Sequence, residues 1–191
     1  MRPPESEVPR HSVPDDAPAA GGGAGAAGRP VVEFREPRIA DGTRMWEITR
    51  DSQVLDVNSS YAYVLWCRDF AHTSIVATVD GRVSGFVTGY RRQDRPDTLM
   101  VWQVATDAAQ RGLGIAGRML GGLLDRLADE GVSRLETTIS PDNTASQALF
   151  TGVARRRGVG IRNEDLFAAD AFPDSHEPED LYIIGDPADA P

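Results

Sequence analysis

The run Gln110-Arg111-Gly112-Leu113-Gly114-Ile115-Ala116 joins a β-like stretch, 98–106, to an amphipathic helical stretch that ends near Asp129. Glycines at 112 and 114 open backbone conformations closed to residues with a Cβ, so several N–H groups can converge on one phosphate. Arg111 adds a cationic fork, and the helix aims the partial positive charge of its N-terminus at the same point. Ile115, Met119, Leu120, Leu123, Leu124 and Leu127 make one apolar stripe that fixes that helix against a core. The chemistry implied is the holding of a phosphate or pyrophosphate.

Two familiar phosphate turns do not fit. A P-loop needs Gly, four spacers and Gly-Lys-Ser/Thr, a run the chain lacks. A dinucleotide turn stands near the start of a repeated βαβ unit with an acidic residue about 20 positions on. Here the turn lies in mid-chain, and the later Glu136 belongs to another pattern.

The elements that must position this turn can be read along the chain. Residues 31–39 alternate as a first strand, and 43–54 read as a short helix capped by Asp41 or Thr43. A second helix, capped by Asn58 or Ser59, runs to Phe70 with Tyr61, Val64 and Leu65 on one face. Residues 74–79 and 82–91 flank Asp80-Gly81, a strong hairpin signal, and 98–106 completes a three-strand meander. A strand over 133–140 follows the glycine loop and its helix; Asn143 then caps a helix over 144–155. A loop is expected from Arg156 to Asp180, before a last strand at 181–184.

The chain of 191 residues suits one domain with an appendage. We divide it into a disordered N-terminal tail (1–30, rich in Pro, Gly and Ala), a folded domain (31–186) and a short C-terminal tail (187–191). No run of ~18 apolar residues exists to span a membrane, and the Gly-Ala tract lacks the large apolar residues of a signal peptide. The single cysteine, Cys67, permits no internal disulfide and fits a reducing cytoplasm; its place in a helical run reads as an inert thiol. A formal charge of −9 argues against a nucleic-acid surface. It favours solubility and would draw a cationic substrate.

Arg-x-x-Gly-x-Ala, from Arg111 to Ala116, resembles the pyrophosphate loop of the GCN5-related N-acetyltransferases, and the element order is theirs. That resemblance implies an α/β (α+β) fold with a mixed, mostly antiparallel central sheet flanked by helices, and acetyl-coenzyme A as cosubstrate. Four further segments narrow it: residues 55–63 (LDVNSSYAY), 101–105 (VWQVA), 136–143 (ETTISPDN) and 176–179 (HEPE). Together they resemble the diaminobutyrate acetyltransferases of ectoine biosynthesis. The resemblance implies acetyl transfer to the γ-amine (N4) of L-2,4-diaminobutyrate, by direct attack in a ternary complex, and a homodimer.

The substrate so implied carries two ammonium groups and a carboxylate, so its pocket should hold acids. Asp56, Glu136 and Glu179 supply them. Glu136 lies mid-strand, where a carboxylate costs several kcal/mol unless paired. It is the first candidate for general base, given burial or a neighbouring carboxylate to raise its pKa, or it holds the α-ammonium. Asp56 reads equally as a cap. His176 and Glu179, in a polar loop, are solvated by default; the resemblance makes them close over the substrate. Trp102 is core packing or, as the resemblance implies, a pocket wall whose face holds an ammonium, and Tyr61 is read similarly.

For the cosubstrate, the resemblance implies backbone contacts from Val104, Ala105 and Thr106, with an oxyanion donor near Val104, and from Arg111, Gly112, Leu113, Gly114, Ile115 and Ala116. Asn143 resembles a residue that touches the pantetheine arm. Where many relatives carry a tyrosine to protonate the leaving thiolate, this chain has Phe150, so no tyrosine acid is available there. No metal is expected: the chain has three histidines, and His11 is in the tail. Two rival readings are an acetyltransferase for another small amine and a non-catalytic acyl-coenzyme A-binding module.

Overall fold

The computed structural model describes residues 30–53, 55–173 and 176–185, so most of the expected N-terminal tail and the whole C-terminal tail lie outside the described residues. The elements are β1 (Val32–Arg35), α1 (Gly42–Ser52), α2 (Ser60–Asp69), β2 (Ile75–Val79), β3 (Arg82–Arg91), β4 (Thr98–Thr106), α3 (Ile115–Ala128), β5 (Arg134–Ile139), α4 (Thr144–Arg157), β6 (Gly160–Phe167) and β7 (Glu179–Gly185).

Among the described residues, seven strands form one sheet in the order β1-β2-β3-β4-β5-β7-β6. Only β4 and β5 run parallel; every other neighbouring pair is antiparallel. This is the mixed, mostly antiparallel sheet expected. Its faces are sorted by the two-residue period of a strand. The cross-strand row Val76, Phe86, Ala105 packs with Met45 and Ile48 of α1 and Tyr63 and Cys67 of α2. The adjacent row Ile75, Val87, Val104 belongs to the larger core on the other face, with the α3 stripe and with Phe150 and Val153 of α4. Phe150 is thus a core residue.

Turn chemistry makes the meander. Asp80 and Gly81 both take positive φ, 50° and 80°, the left-handed pair a two-residue hairpin needs. Helices α1 and α2 touch at Gly42, where a Cβ would meet the Val64 backbone nitrogen at 3.0 Å. Asp41 stands at the N-terminus of α1, but its carboxylate serves Arg35 (2.6 and 2.9 Å) and the Arg38 N–H (2.6 Å) instead of capping the helix.

Two expectations are corrected. The first strand stops at Arg35, short of the expected end at Ile39, where a 3-10 turn, Ile39–Asp41, begins. More important, the stretch expected to be a loop from Arg156 onward finishes α4 and then forms β6. Strand β6 is an edge strand bonded to β7 alone, and most of its side chains are exposed on both faces. It therefore carries no apolar alternation for a sequence reading to detect.

Candidate active site

The cofactor half is built around a fork in the sheet. Strand β4 stays paired with β3 as far as Gly85↔Thr106, but β5 leaves it after Val101↔Thr137 and continues with β7 to Ile139↔Asp180. The β5-facing backbone of residues 102–106, including Val104, Ala105 and Thr106, then has no strand beside it. Below the fork, Asp107 caps a 3-10 turn by accepting from the Ala109 N–H at 3.2 Å and also pairs with Arg44 of α1. The chain reaches α3 through Gly112 and Gly114, with φ of 80° and 68°. Gly114 is the N-cap of α3 and brings no side chain to it, so the first N–H groups at Ile115, Ala116 and Gly117 face outward without a side-chain acceptor.

This donor set fits a pyrophosphate: open left-handed glycines, an uncapped helix N-terminus, and the exposed Arg111 and Leu113 flanking it. Ile115, 2 % exposed, anchors the helix start in the core. Asn143 is engaged as the N-cap of α4, its side-chain oxygen accepting from the Ser146 N–H at 3.0 Å. Only its amide NH2 is left for the pantetheine contact expected of it.

The substrate half lies on the α1/α2 face, beside the fork. The β3–β4 pairing skips Trp102, which is the extra residue of a bulge, so Trp102 and Gln103 project to the same side. Trp102 stacks on Trp66 of α2 with centroids 4.4 Å apart and stays 40 % exposed. Gln103 is buried and accepts from the Tyr63 hydroxyl at 3.1 Å while donating to the Asp56 carbonyl at 3.0 Å, which ties the loop before α2 to β4.

Asp56 and His176, 120 residues apart in sequence, meet at 3.0 Å. His176 Nδ1 faces the Glu177 carbonyl at 2.7 Å, so both ring nitrogens face acceptors, and these two contacts raise its pKa. Its ring stacks on Phe172 with centroids 4.3 Å apart. Glu179, at the start of β7, is half-buried; burial pushes its carboxyl pKa up against the opposing pull of Thr138 and His176. Tyr61 stands exposed on the first turn of α2 and takes part in none of these contacts.

Glu136 has no exposed surface, as its mid-strand position implied. Its partners are unexpected: Arg92 donates to Oε2 at 2.7 Å, and Arg95 Nη2 lies 3.0 Å from Oε1. Glu136, the first candidate for general base, is thus engaged by two guanidiniums. These contacts fix its carboxyl group in place. The acid raised by its environment is Glu179.

Sequence reasoning missed Gln103, Arg92 and Arg95. A glutamine inside an apolar strand was a usable signal; charged residues in the turn 92–97 read as solvated, and nothing local marked them as partners of β5. Cys67 is 3 % exposed, with its pKa pushed up by burial to about 11, which keeps it a thiol at neutral pH. Among the described residues no metal-binding cluster is gathered and no helix is long and apolar enough to cross a membrane.

Known proteins share this architecture. Residues 42–152 match the model of the acetyltransferase (GNAT) family. The L-2,4-diaminobutyric acid acetyltransferase of Nocardia farcinica is 57 % identical over 151 residues, covering 79 % of this chain and 78 % of that one. That of Streptomyces coelicolor is 58 % identical over 157 residues, covering 81 % and 92 %. Among solved structures, the diaminobutyrate acetyltransferase EctA from Paenibacillus lautus, in complex with L-2,4-diaminobutyric acid and coenzyme A, superposes with a TM-score of 0.78 at 42 % identity over 82 % of this chain and 96 % of that one. The forked sheet, the glycine loop at the head of α3 and these relatives agree: the chain belongs to the acetyltransferase (GNAT) family, in the branch of the L-2,4-diaminobutyric acid acetyltransferases.

Proposed function

We propose that this protein transfers the acetyl group of acetyl-coenzyme A to the γ-amine of L-2,4-diaminobutyrate, giving N4-acetyl-L-2,4-diaminobutyrate for ectoine biosynthesis. The observation that carries the reading is an acid-rich, aromatic-walled face placed directly beside the fork between β4 and β5. The relatives' shared name supplies the amine. We further propose a cytoplasmic homodimer serving osmotic protection.

A free alkyl amine has a pKa of ~10 and must lose a proton before it attacks a thioester. Glu179 is the proton acceptor in this reading: burial raises its pKa, and it stands in the same cluster as His176 and Asp56. His176, braced by Asp56, opposes that shift when protonated and holds the arm at the start of β7 over the site. The exposed face of Trp102 receives an ammonium. Acetyl-coenzyme A, when bound, supplies an activated acyl group. Backbone N–H groups at Val104 and beyond, unpaired by the fork, face the place where its carbonyl oxygen gains negative charge. Arg111 and residues 112–116 hold the pyrophosphate. With Phe150 in the core, no tyrosine hydroxyl stands at that position to protonate the thiolate, which leaves unprotonated or takes its proton from water or another group.

The test is acetyl-coenzyme A consumption with L-2,4-diaminobutyrate, ornithine, lysine and spermidine, with the acetylated nitrogen assigned by NMR. Turnover with diaminobutyrate giving the N4 product alone is the expected result. Activity on another amine only would discard the substrate, and coenzyme binding without turnover would favour a non-catalytic module. Light scattering checks the homodimer.

A further inference from the structure

Glu136 Oε1 is fully buried and receives no hydrogen bond, although Arg95 Nη2 is 3.0 Å away. A buried carboxylate oxygen in that state is costly, and it marks a place where a better donor belongs. The two arginines also differ. Arg92 makes a directed bond to Oε2 and is held from behind by both Asp94 oxygens, at 3.0 and 2.8 Å. Arg95 pairs with Glu136 without hydrogen-bond geometry, and its side chain is 40 % exposed.

The row of facing residues that contains Glu136 runs Tyr90, Met100, Glu136, Ile183, and it lies on the face of the sheet that carries Trp102. Trp102 is two residues beyond Met100, about 7 Å along the strand. A short diamino acid whose terminal amine lies by the fork can therefore direct its α-carbon toward Glu136. An α-amino-acid head presents an ammonium and a carboxylate on one carbon, and Glu136 with Arg95 presents the opposite charges side by side.

We propose that Glu136 and Arg95 form the subsite for the α-amino-acid head: Glu136 Oε1 takes the α-ammonium, and Arg95 turns from Glu136 to the α-carboxylate. Arg92 is a positioning residue that keeps Glu136 aimed. This site reads the end of the substrate that does not react and so sets which amine is acetylated. The inference rests on the diaminobutyrate reading above.

Two truncated substrates separate the charges. 1,3-Diaminopropane lacks only the carboxylate of diaminobutyrate, and 4-aminobutyrate lacks only the α-ammonium. The wild-type protein should prefer diaminobutyrate to either in kcat/KM by ~30-fold or more, the cost of leaving one charge of the subsite unmatched. Arg95→Gln should raise KM for diaminobutyrate and bring it level with 1,3-diaminopropane while its preference over 4-aminobutyrate persists. Glu136→Gln should do the converse. Arg95→Lys, which retains a cation, should restore part of the discrimination and guards against misfolding, as does an unchanged affinity for coenzyme A.

If the wild type acetylates diaminobutyrate but Arg95→Gln leaves the preference over 1,3-diaminopropane intact, or weakens all three substrates equally, the subsite is refuted while the function stands. Failure of the wild type to acetylate diaminobutyrate at all would instead reject the function.

Discussion

The two halves of the site are made in different ways. The proposed cofactor half is continuous in sequence: β4, the glycine loop and the head of α3 occupy residues 98–118, and apart from Arg111 their donors come from the backbone. The proposed substrate half is gathered from Asp56, Trp66, Arg92, Arg95, Trp102, Glu136, His176 and Glu179, side chains on segments up to 123 residues apart. A backbone site for a pyrophosphate tolerates wide change elsewhere in the chain. A side-chain site for one small diamino acid depends on every contact that aligns its segments.

Glu179→Gln tests the substrate half most directly. It should lower kcat by about 100-fold or more, the usual worth of a positioned base, with coenzyme affinity retained. In the wild type, kcat/KM should fall as pH drops through the raised Glu179 pKa. The stability effect has its own sign. A carboxyl whose folded pKa lies above its unfolded value, 4.5, favours the fold fully below that value and loses this favour as pH rises through the folded pKa. Glu179→Gln should therefore raise the melting temperature at neutral pH while activity is lost. A variant that is both active and unchanged in melting would leave Glu179 without a role.

Gly112→Val is the matching change in the cofactor half. A β-branched residue at φ 80° is strained, and its side chain would enter the space in front of the α3 N-terminus. Coenzyme affinity by calorimetry should fall by at least ~10-fold, with the fold preserved because the loop is exposed. Wild-type affinity would overturn the assignment of the loop.

Gln103→Leu probes how the substrate half is held. It removes the tie to Asp56 and strips the buried Tyr63 hydroxyl of its acceptor. Loss of about 1–3 kcal/mol in denaturant unfolding is expected, with a raised KM for the amine and little change for coenzyme A. Equal effects on both substrates would blur the division between the halves.

The smallest effect belongs to His72, which is in neither half. It bridges Glu36 at 2.9 Å and Glu130 at 2.6 Å, tying the segment after β1 to the end of α3. These carboxylates raise its pKa above 6.5, so its stabilisation is complete below pH 6.5 and fades as pH rises through the folded value. The wild-type melting temperature should drift down over that range, and His72→Gln should flatten the drift; both changes are small because the group is exposed.

What could be read in advance follows the same division. Strand 98–106, the stripe on α3, the Asp80-Gly81 hairpin and the Asn143 cap are local patterns of period, turn chemistry and capping, and all appear in the structure. Sequence also marked Asp56, Trp102, Glu136, His176 and Glu179, through a resemblance carried by four separated segments. Strand β6 escaped because an edge strand exposed on both faces has no alternation.

Sequence alone determined the glycine turn, the helix that follows it and the supply of acids, since each depends on residues a few positions apart. Only the tertiary structure decided which acid is anchored and which is raised. Glu136 and Glu179 are the same residue type, but the loop 92–97 lays Arg92 and Arg95 over one, while burial beside Thr138 shifts the other. Charge state answers to neighbours in space, and the pairing of β5 with β4 and β7 is what sets those neighbours.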